Sequence, residues 1–531
     1  VNNNGRRTLG KPELGTGISR SISTQWVYEG RLLHMAAWGE HQTSLTAVFQ
    51  ARQASHAPTK DLYDGIENRN LSFSMRGSYG FLDRYFVEAS FGYNGSERFT
   101  KNNRMGFFPS AGAAWIVSKE NFLQGASNIV SFLKLRGSYG KVGNDGIIAT
   151  PRFVYMPQIG KSEYVNAGVY PEVGNDDAFR RKQIQNYGDP DVKWEISEQV
   201  NLGLESRFFR DVLELNVDIY QEIRHNIIAN RTVIPANMGI ELYPLDNMGK
   251  VRSRGMDLSA KVQHAFSPDF WIILNGTFTY NKAVYKELEE ATDKPRWQWK
   301  KGHEISQQIG YIAEGLFHDQ AEIDNSPTQS TAEPGDIRYR DINGDGTIDV
   351  EDAVHIGFPE TPRIIYGFSG FVNYKNWEFN FSFQGSGNRG FFLNPGALSP
   401  FVNDHAMLKA IYDSHWTEKN ASDRPFWPRL STQSITVNNP QEDWDNINNG
   451  ERKSTYFMRE CRFLRCTSLE VAYNLPLNLR TKLRMQNVKF FARANNPFMF
   501  SNFKLWDVEL GENGFNYPIQ KTYAVGVSVS F

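Results

Sequence analysis

A strict two-residue alternation of aromatic and polar side chains in residues 377–384 constrains the fold more than any other feature of the sequence. The apolar positions are Trp377, Phe379, Phe381 and Phe383, and the polar positions between them are Glu378, Asn380, Ser382 and Gln384. Successive side chains of an extended strand point to opposite faces, so this strand has one apolar face and one polar face. That much aromatic area on one face favours a sheet that has lipid on one side and water on the other.

The same alternation recurs along the chain, at residues 84–93, 133–139, 199–205, 213–219, 256–262, 272–280 and 523–531. Short turns such as Ser267–Asp269 join successive strands at one end, whereas the connections at the other end are long. The two longest span about residues 284–363 and 385–455. Tight turns at one end and extended loops at the other are typical of outer-membrane barrels. We predict an all-β transmembrane antiparallel β-barrel in which this chain forms roughly 16 strands.

A β-sandwich is the main alternative, because its strands alternate as well. A sandwich would have connections of similar length at both ends and a core of about 100 residues per unit. The unequal loops and the C-terminal aromatic Phe531, which continues the apolar face of the last strand, favour the barrel.

Charge and hydropathy exclude other classes. Lys and Arg (58) nearly balance Asp and Glu (59), which argues against a nucleic-acid partner because such partners usually require a basic face. The sequence lacks the run of about 18 uncharged apolar residues that a membrane-spanning helix needs. Barrel strands need only about 10 alternating residues each. Cys461 and Cys466 lie five residues apart in a predicted strand, too far for a disulfide, so we expect structural roles for both.

The loop 341–352 carries the pattern of a calcium-binding loop. Its predicted ligands are Asp341, Asn343, Asp345, Thr347, Asp349 and Asp352. Hard oxygen ligands at alternate positions suit Ca²⁺, and Gly346 permits the sharp turn that such loops need. Asp352 stands at the twelfth position of the loop, where an EF-hand has Glu. The neighbouring Glu351 is the alternative ligand for that position. The alternative is an ion-free turn, because Asp, Asn and Gly are ordinary turn residues. We predict a structural Ca²⁺ that stiffens an outer loop.

Catalytic patterns give no enzyme hypothesis. The ten histidines lack metal-ligand spacing, and the sequence contains neither a nucleophile elbow nor a phosphate-binding loop. We therefore predict no catalytic residues. Two aromatic segments, 391–393 and 426–428, have two interpretations: surfaces on which sugar rings stack, or contacts to a protein lid.

Several motifs carry a family resemblance. They are RYFVEASFGYNGSERF, FFPSAGAAWIVSKENF, LKLRGSYGKVGN, NMGKVRSRGMDL, GDIRYRDINGDGTID, RFLRCTSLEVAYNLP and the final AVGVSVSF. These segments resemble the barrel of the SusC/RagA family of TonB-dependent outer-membrane transporters. The resemblance implies import of oligosaccharides or oligopeptides with a SusD-like surface lipoprotein, energised by the TonB complex, in the outer membrane of a Gram-negative bacterium of the Bacteroidetes.

The resemblance also implies parts that this sequence does not match. Family members have a barrel of about 22 strands preceded by a plug domain that TonB grips. No segment resembles the plug, so we predict that the whole sequence, 1–531, is the C-terminal part of the barrel. The plug and the first strands would belong to another part of the polypeptide or to another chain. Two functions remain open: an active importer, or a structural scaffold barrel without transport. We expect the two long loops to contact the SusD-like lipoprotein, unless they only fold over one another.

Overall fold

The computed structural model describes residues 22–57, 66–146, 153–161, 182–234, 236–238, 243–291, 293–329, 332–401, 406–420, 424–430, 453–512 and 514–531. The strands in this part of the chain are β1 (Ile22–Trp38), β2 (His41–Ala57), β3 (Asn68–Phe81), β4 (Tyr85–Ser96), β5 (Met105–Ile116), β6 (Val130–Asn144), β7 (Gln158–Lys161), β8 (Lys182–Asn186), β9 (Glu195–Phe208), β10 (Leu213–Asn230), β11 (Leu245–Ser267), β12 (Phe270–Glu287), β13 (Gln308–Gly310), β14 (Ala313–Leu316), β15 (Ile337–Tyr339), β16 (Val354–Ile356), β17 (Ile364–Tyr374), β18 (Trp377–Gly387), β19 (Gly390–Phe392), β20 (Met458–Glu460), β21 (Phe463–Asn474), β22 (Asn487–Asn495), β23 (Met499–Ser501) and β24 (Thr522–Ser530).

One antiparallel sheet of 16 strands dominates the described part of the chain. Its order is β1-β2-β3-β4-β5-β6-β9-β10-β11-β12-β17-β18-β21-β22-β24, and β23 pairs with β21. Strands adjacent in this sheet are also successive along the chain, apart from the short strands inserted in long connections. The predicted antiparallel barrel architecture with roughly 16 strands is therefore confirmed.

The remaining eight strands form four two-stranded sheets within the connections: β7 with β8, β13 with β16, β14 with β15, and β19 with β20. Short α-helices span Gln320–Asp324, Pro395–Leu398, Lys409–Asp413 and Leu477–Lys482. Short 3₁₀ helices span Val117–Lys119, Asn121–Ala126, Ala236–Met238, Arg296–Gln298, Val350–Asp352 and Val508–Leu510. Among the described residues, none of the helices has the length and apolar character to cross a membrane.

Turns at one end of the sheet are tight. Residues 82–84 join β3 to β4, and residues 268–269 join β11 to β12. Leu82 and Asp83 both have positive φ, near 57° and 52°, as the tight primed turns of hairpins require. The opposite end carries the long connections, residues 288–363 between β12 and β17 and residues 388–462 between β18 and β21. The predicted loop asymmetry is thus present.

Strand register keeps the apolar and polar positions on separate faces. Phe379 on β18 lies opposite Val372 on β17 and Val471 on β21, whereas the next residue, Asn380, lies opposite Phe371 and Glu470. The alternation in the sequence predicts one set of residues that face lipid and a second set that face the lumen. Following the paired positions across the sheet places the first set on the Phe379 face and the second set on the Asn380 face. The first set is Phe379, Phe381, Leu213, Val217, Val525 and Val527, and the second is Asn380, Asp218, Glu88 and Ser528. A shift of one residue in any pair would mix the faces.

The Asn380 face is not uniformly polar. Trp271 on β12 and Phe371 on β17 lie on it, and their rings stack with centroids 4.7 Å apart. Phe86, an apolar residue among the polar positions of β4, lies on the same face opposite Ala114. These aromatic residues are near the short-turn end of the sheet, where alternation in the sequence alone does not predict them.

Candidate functional site

Charged residues on the Asn380 face form compensated networks. Arg136 on β6 donates to Glu205 on β9 at 3.0 Å and to Asp218 on β10 at 2.8 Å, and the Lys134 ammonium lies 3.1 Å from the same Glu205 carboxylate. Ion pairs with several hydrogen bonds limit the cost of removing charges from bulk water. This face is therefore suited to line an aqueous passage, and Glu205 acts there as an ion-pair partner.

The two longest connections fold together into one packed body at the long-loop end. We call the described residues of 288–363, 388–462 and 496–512 the loop body. Its buried core is continuous across all three segments. The fully buried members include Tyr311 and Tyr339 from the first segment, Leu393 and Ile411 from the second, and Val508 from the third. The connections are thus a structured cover at one end of the sheet.

The aromatic segments that we predicted to stack on sugars or to contact a lid lie inside this core instead. Phe391, Phe392 and Trp427 are 5%, 6% and 2% exposed, and Leu393 is fully buried. Trp427 packs against Phe457 with ring centroids 5.4 Å apart. Both interpretations are therefore wrong for Phe391, Phe392, Leu393 and Trp427, because a side chain without exposed surface cannot present it to a ligand or partner. Phe426 is only half-buried, so for this residue both stay predictions. Alternation does not report on loop residues, so the sequence lacked a signal for their burial.

The acidic loop 341–352 is held by hydrogen bonds from backbone N–H groups to its own side chains. Asp341 accepts from the N–H groups of Gly344 and Gly346, at 2.6 and 2.9 Å. Asn343 accepts from Asp345 at 3.0 Å, and Asp345 accepts from Thr347 at 2.8 Å. Gly344 and Gly346 have φ near 78° and 82°, a conformation that a Cβ atom disfavours. The loop therefore has a specific folded conformation built on Asx turns.

Asp349 and Asp352 fasten the C-terminal half of the same loop. The Asp349 side chain accepts from the N–H of Glu351 at 2.8 Å and caps the 3₁₀ helix Val350–Asp352. Asp352 is completely buried, and its two oxygens accept from the N–H groups of Ile342 and Asp349, at 2.7 and 2.8 Å. Burial raises the pKa of Asp352 above its ordinary value. This residue closes the loop on itself.

Within the part of the chain that the structure describes, no group of three or more His, Cys, Asp or Glu side chains is gathered so that it could hold a metal ion. The six predicted ligands do lie on one short loop, and an ionised carboxylate that accepts one N–H bond keeps further lone pairs for a cation. Calcium binding by these residues stays a prediction.

A buried ion pair that the sequence did not predict joins the two longest connections. Arg429 donates to Asp336 from Nε at 2.6 Å, and its Nη1 lies 3.0 Å from the Glu333 carboxylate. Asp336 is 0% exposed and also accepts from the Glu333 N–H at 2.9 Å. Burial raises the pKa of Asp336 to about 6, against the opposing effect of Arg429. The backbone N–H of Arg429 donates to the Gly335 carbonyl at 3.1 Å, so Arg429 clamps residues 333–336 to residues 424–430.

A second buried arginine anchors the third segment of the loop body. Arg465 on β21 is 4% exposed and contacts Asp507 and Glu509, each at 2.5 Å. Cys461 and Cys466 are both buried free thiols, in agreement with the predicted structural roles.

Comparisons with known proteins agree with this architecture. Residues 2–496 match the family described as TonB dependent receptor-like, beta-barrel. The TonB-dependent receptor SusC of Bacteroides thetaiotaomicron is 26% identical over 515 residues, which are 93% of this chain and 48% of that protein. The TonB-dependent receptor P26 of Formosa agariphila is 26% identical over 516 residues, 89% of this chain and 47% of that protein.

The solved structure of the RagAB peptide transporter shares the fold, with a TM-score of 0.72 at 21% identity, covering 96% of this chain and 56% of that chain. The chain spans about half the length of the curated relatives that it matches.

Proposed function

Because this chain belongs to the TonB dependent receptor-like β-barrel family, as a SusC/RagA-type member, we propose that it is the barrel portion of an importer of oligosaccharides or oligopeptides. The family is one of outer-membrane barrels. The observation that carries the proposal is the Asn380 face, which combines paired charges such as Arg136 with Glu205 and a folded cover, the loop body, at one end. A wet, charge-compensated wall beneath a structured cover suits the passage of polar oligomers better than a purely structural wall does.

Import energised by TonB is part of the same proposal. The test compares cells that lack the gene, cells that carry it and cells that lack TonB, each grown with a mixture of oligosaccharides and a mixture of oligopeptides. We expect one class of oligomer to stay in the medium of both mutant cells and to disappear from that of complemented cells. Unchanged uptake of both classes, together with loss of other outer-membrane proteins in the deletion strain, would favour a scaffold barrel instead.

A surface lipoprotein of the SusD type is the proposed partner of the loop body. One of the solved relatives is titled RagAB peptide transporter, which motivates the proposal. With the aromatic residues of 391–393 and 427 buried, the exposed aromatics of the second connection are the better candidates for contact, namely Phe401 at 55% and Tyr412 at 70% exposed. Aromatic side chains are enriched in interface cores.

Purification of the native protein in mild detergent tests this partner. We expect a lipoprotein to accompany the barrel, and Phe401→Ser with Tyr412→Ser to reduce its recovery, whereas Phe122→Ser, an equally exposed residue near the short-turn end, leaves recovery unchanged. Purification of the barrel from native membranes without any lipoprotein would refute the proposed lipoprotein partner.

Calcium is the proposed ion of the acidic loop. The spacing of Asp341, Asn343 and Asp345 and the positive φ of Gly344 and Gly346 support it. Asp349 and the Thr347 carbonyl would complete the oxygen set, and Asp352 would orient the loop from its buried position. The ion would stiffen the loop 341–352 and neutralise its carboxylates, and it would have no catalytic role.

A further inference from the structure

The lipid-facing surface ends at a cluster of cations on β11 and β12. Met256 on β11 lies opposite Tyr280 on β12, and both lie on the Phe379 face. Two residues nearer the long-loop end, on the same face, Arg254 lies directly opposite Lys282. Both side chains are exposed. Like charges on directly opposite residues of neighbouring strands destabilise a sheet unless an anion offsets them.

The position of this pair along the strand matches a membrane surface. On β12, Phe270 at the short turn and Tyr280 are ten residues apart on the apolar face. At about 3.3 Å per residue and a tilt of about 40°, ten residues rise about 25 Å, which is the height of the apolar band of an outer-membrane barrel. Aromatic residues flank such bands at both edges. Arg254 and Lys282 therefore lie just beyond the outer edge, at the level of the lipid headgroups.

Positive charge exceeds negative charge at this place. Lys282 contacts the Glu304 carboxylate at 3.3 Å, but Glu304 also forms an ion pair with Arg363. Arg252, two residues from Arg254 on the same face, lies opposite Val284. Among the described residues, neither Arg252 nor Arg254 forms an ion pair with a carboxylate. Lys282 thus shares its one carboxylate with Arg363, and Arg252 and Arg254 have no carboxylate partner among the described residues.

Other carboxylates on the neighbouring strands do not correct this imbalance. Glu198 on β9 is paired with Lys141 at 2.7 Å, and Glu287 on β12 is paired with Lys250 at 3.1 Å. Arg254 is oriented by a hydrogen bond from its Nε to the Gln221 side-chain oxygen at 2.6 Å. That bond uses the inner nitrogen of the guanidinium and leaves its terminal N–H groups for a ligand.

We propose that Arg252, Arg254 and Lys282 form a binding site for the phosphate of an outer-leaflet lipid. Arginine presents parallel N–H groups that match phosphate oxygens, and lysine adds a point charge. The lipid's acyl chains would lie along the apolar face below, against Tyr280 and Met256. This site has a role separate from import, because it lies on the Phe379 face and not on the Asn380 face. It anchors the barrel at a set height against the outer leaflet.

Native mass spectrometry of the protein, purified with its accompanying chains from its own outer membrane, tests the site. The probe is monophosphorylated lipid A, titrated into the detergent-solubilised protein, and its dephosphorylated form is the ligand control. The test variant is Arg254→Gln with Lys282→Gln. The matched control is Lys261→Gln, on the same strand but on the Asn380 face, opposite Glu214.

Loss of two charged contacts is expected to weaken binding of the phosphorylated lipid at least about tenfold. The native protein should discriminate against the dephosphorylated lipid by a similar factor, and Lys261→Gln should bind as the native protein does. Equal affinity of the native protein and the double variant would overturn the proposal. Equal affinity of the native protein for the two lipids would also overturn the proposal, and this measurement does not depend on the folding of a variant. Displacement of the lipid by inorganic phosphate at comparable concentration would also overturn it, since the site would then recognise free phosphate.

Discussion

Replacing Arg429 by Met should loosen the loop body without disturbing the barrel sheet. The substitution removes the donor that reaches Asp336 at 2.6 Å while retaining most of the side-chain volume. Asp336 is 0% exposed, and of its donors among the described residues the Glu333 N–H would remain. Leaving one partner of a buried pair without its counter-charge costs about 3 to 5 kcal/mol. We expect the local opening free energy around β15 to fall by about 3 kcal/mol at neutral pH.

The effect should depend on pH in a direction that the pKa of Asp336 determines. That pKa is raised from 3.8 to about 6, so the folded loop body binds the proton more tightly than the unfolded chain does. The stabilising contribution of the protonated form is complete below about pH 4 and is lost as the pH rises through about 6. The native loop body should therefore be more stable at pH 5 than at pH 7, by about 1 kcal/mol. Arg429 opposes the effect of burial on the pKa of Asp336, so without Arg429 the carboxyl should stay protonated at pH 5. The destabilisation caused by Arg429→Met should therefore be smaller at pH 5 than at pH 7.

Hydrogen exchange followed by mass spectrometry measures this directly. A loss of about 3 kcal/mol corresponds to exchange roughly a hundredfold faster in peptides that cover Ile337–Tyr339, and peptides from Phe270–Glu287 should not change. The matched control is Arg340→Met, whose partner Glu314 lies 2.7 Å away in an exposed pair and should contribute less than about 1 kcal/mol. Adding Asp336→Asn to Arg429→Met should restore part of the protection. Exchange of Ile337–Tyr339 that stays within twofold of the native rate at pH 7 would refute the reasoning.

Further predictions concern the wall, the core and the ion. Phe381→Arg should cost about 2 to 4 kcal/mol on the lipid face and lower the amount of folded barrel in the membrane, whereas Asn380→Arg should be tolerated; equal yields of the two variants would contradict the assigned faces. Trp427→Ala should destabilise the loop body by about 3 to 5 kcal/mol, seen as proteolysis confined to the loop body, and resistance like that of the native protein would contradict its place in the core. Calcium should slow hydrogen exchange in residues 341–352, and Asp345→Ala should abolish the difference; identical exchange with calcium and with chelator would exclude the ion.

The wall of this protein could be predicted from its sequence because the strand period is local. Side-chain direction in a strand alternates whatever the partner is, so the residues around Phe379 and Asn380 already defined two faces before any pairing was known. The observed register preserves those faces across all the strands that carry the ten assigned residues. The number of strands and the unequal lengths of the connections could be predicted from the sequence for the same reason, because turns and alternating runs are short-range features.

The tertiary structure alone decided what the loop residues do. Phe391 and Trp427 look like exposed recognition residues in the sequence, but they fill a core that also contains Tyr311 and Val508, more than a hundred residues away from one or the other. No local period reports such contacts. Asp336 and Arg429 are 93 residues apart, and although Asp336 lies in the segment GDIRYRDINGDGTID, nothing in that segment indicates Arg429 as its partner. Their pairing depends on how two long connections fold over one another, because a buried charge acquires its partner and its shifted pKa only when distant segments exclude water from it.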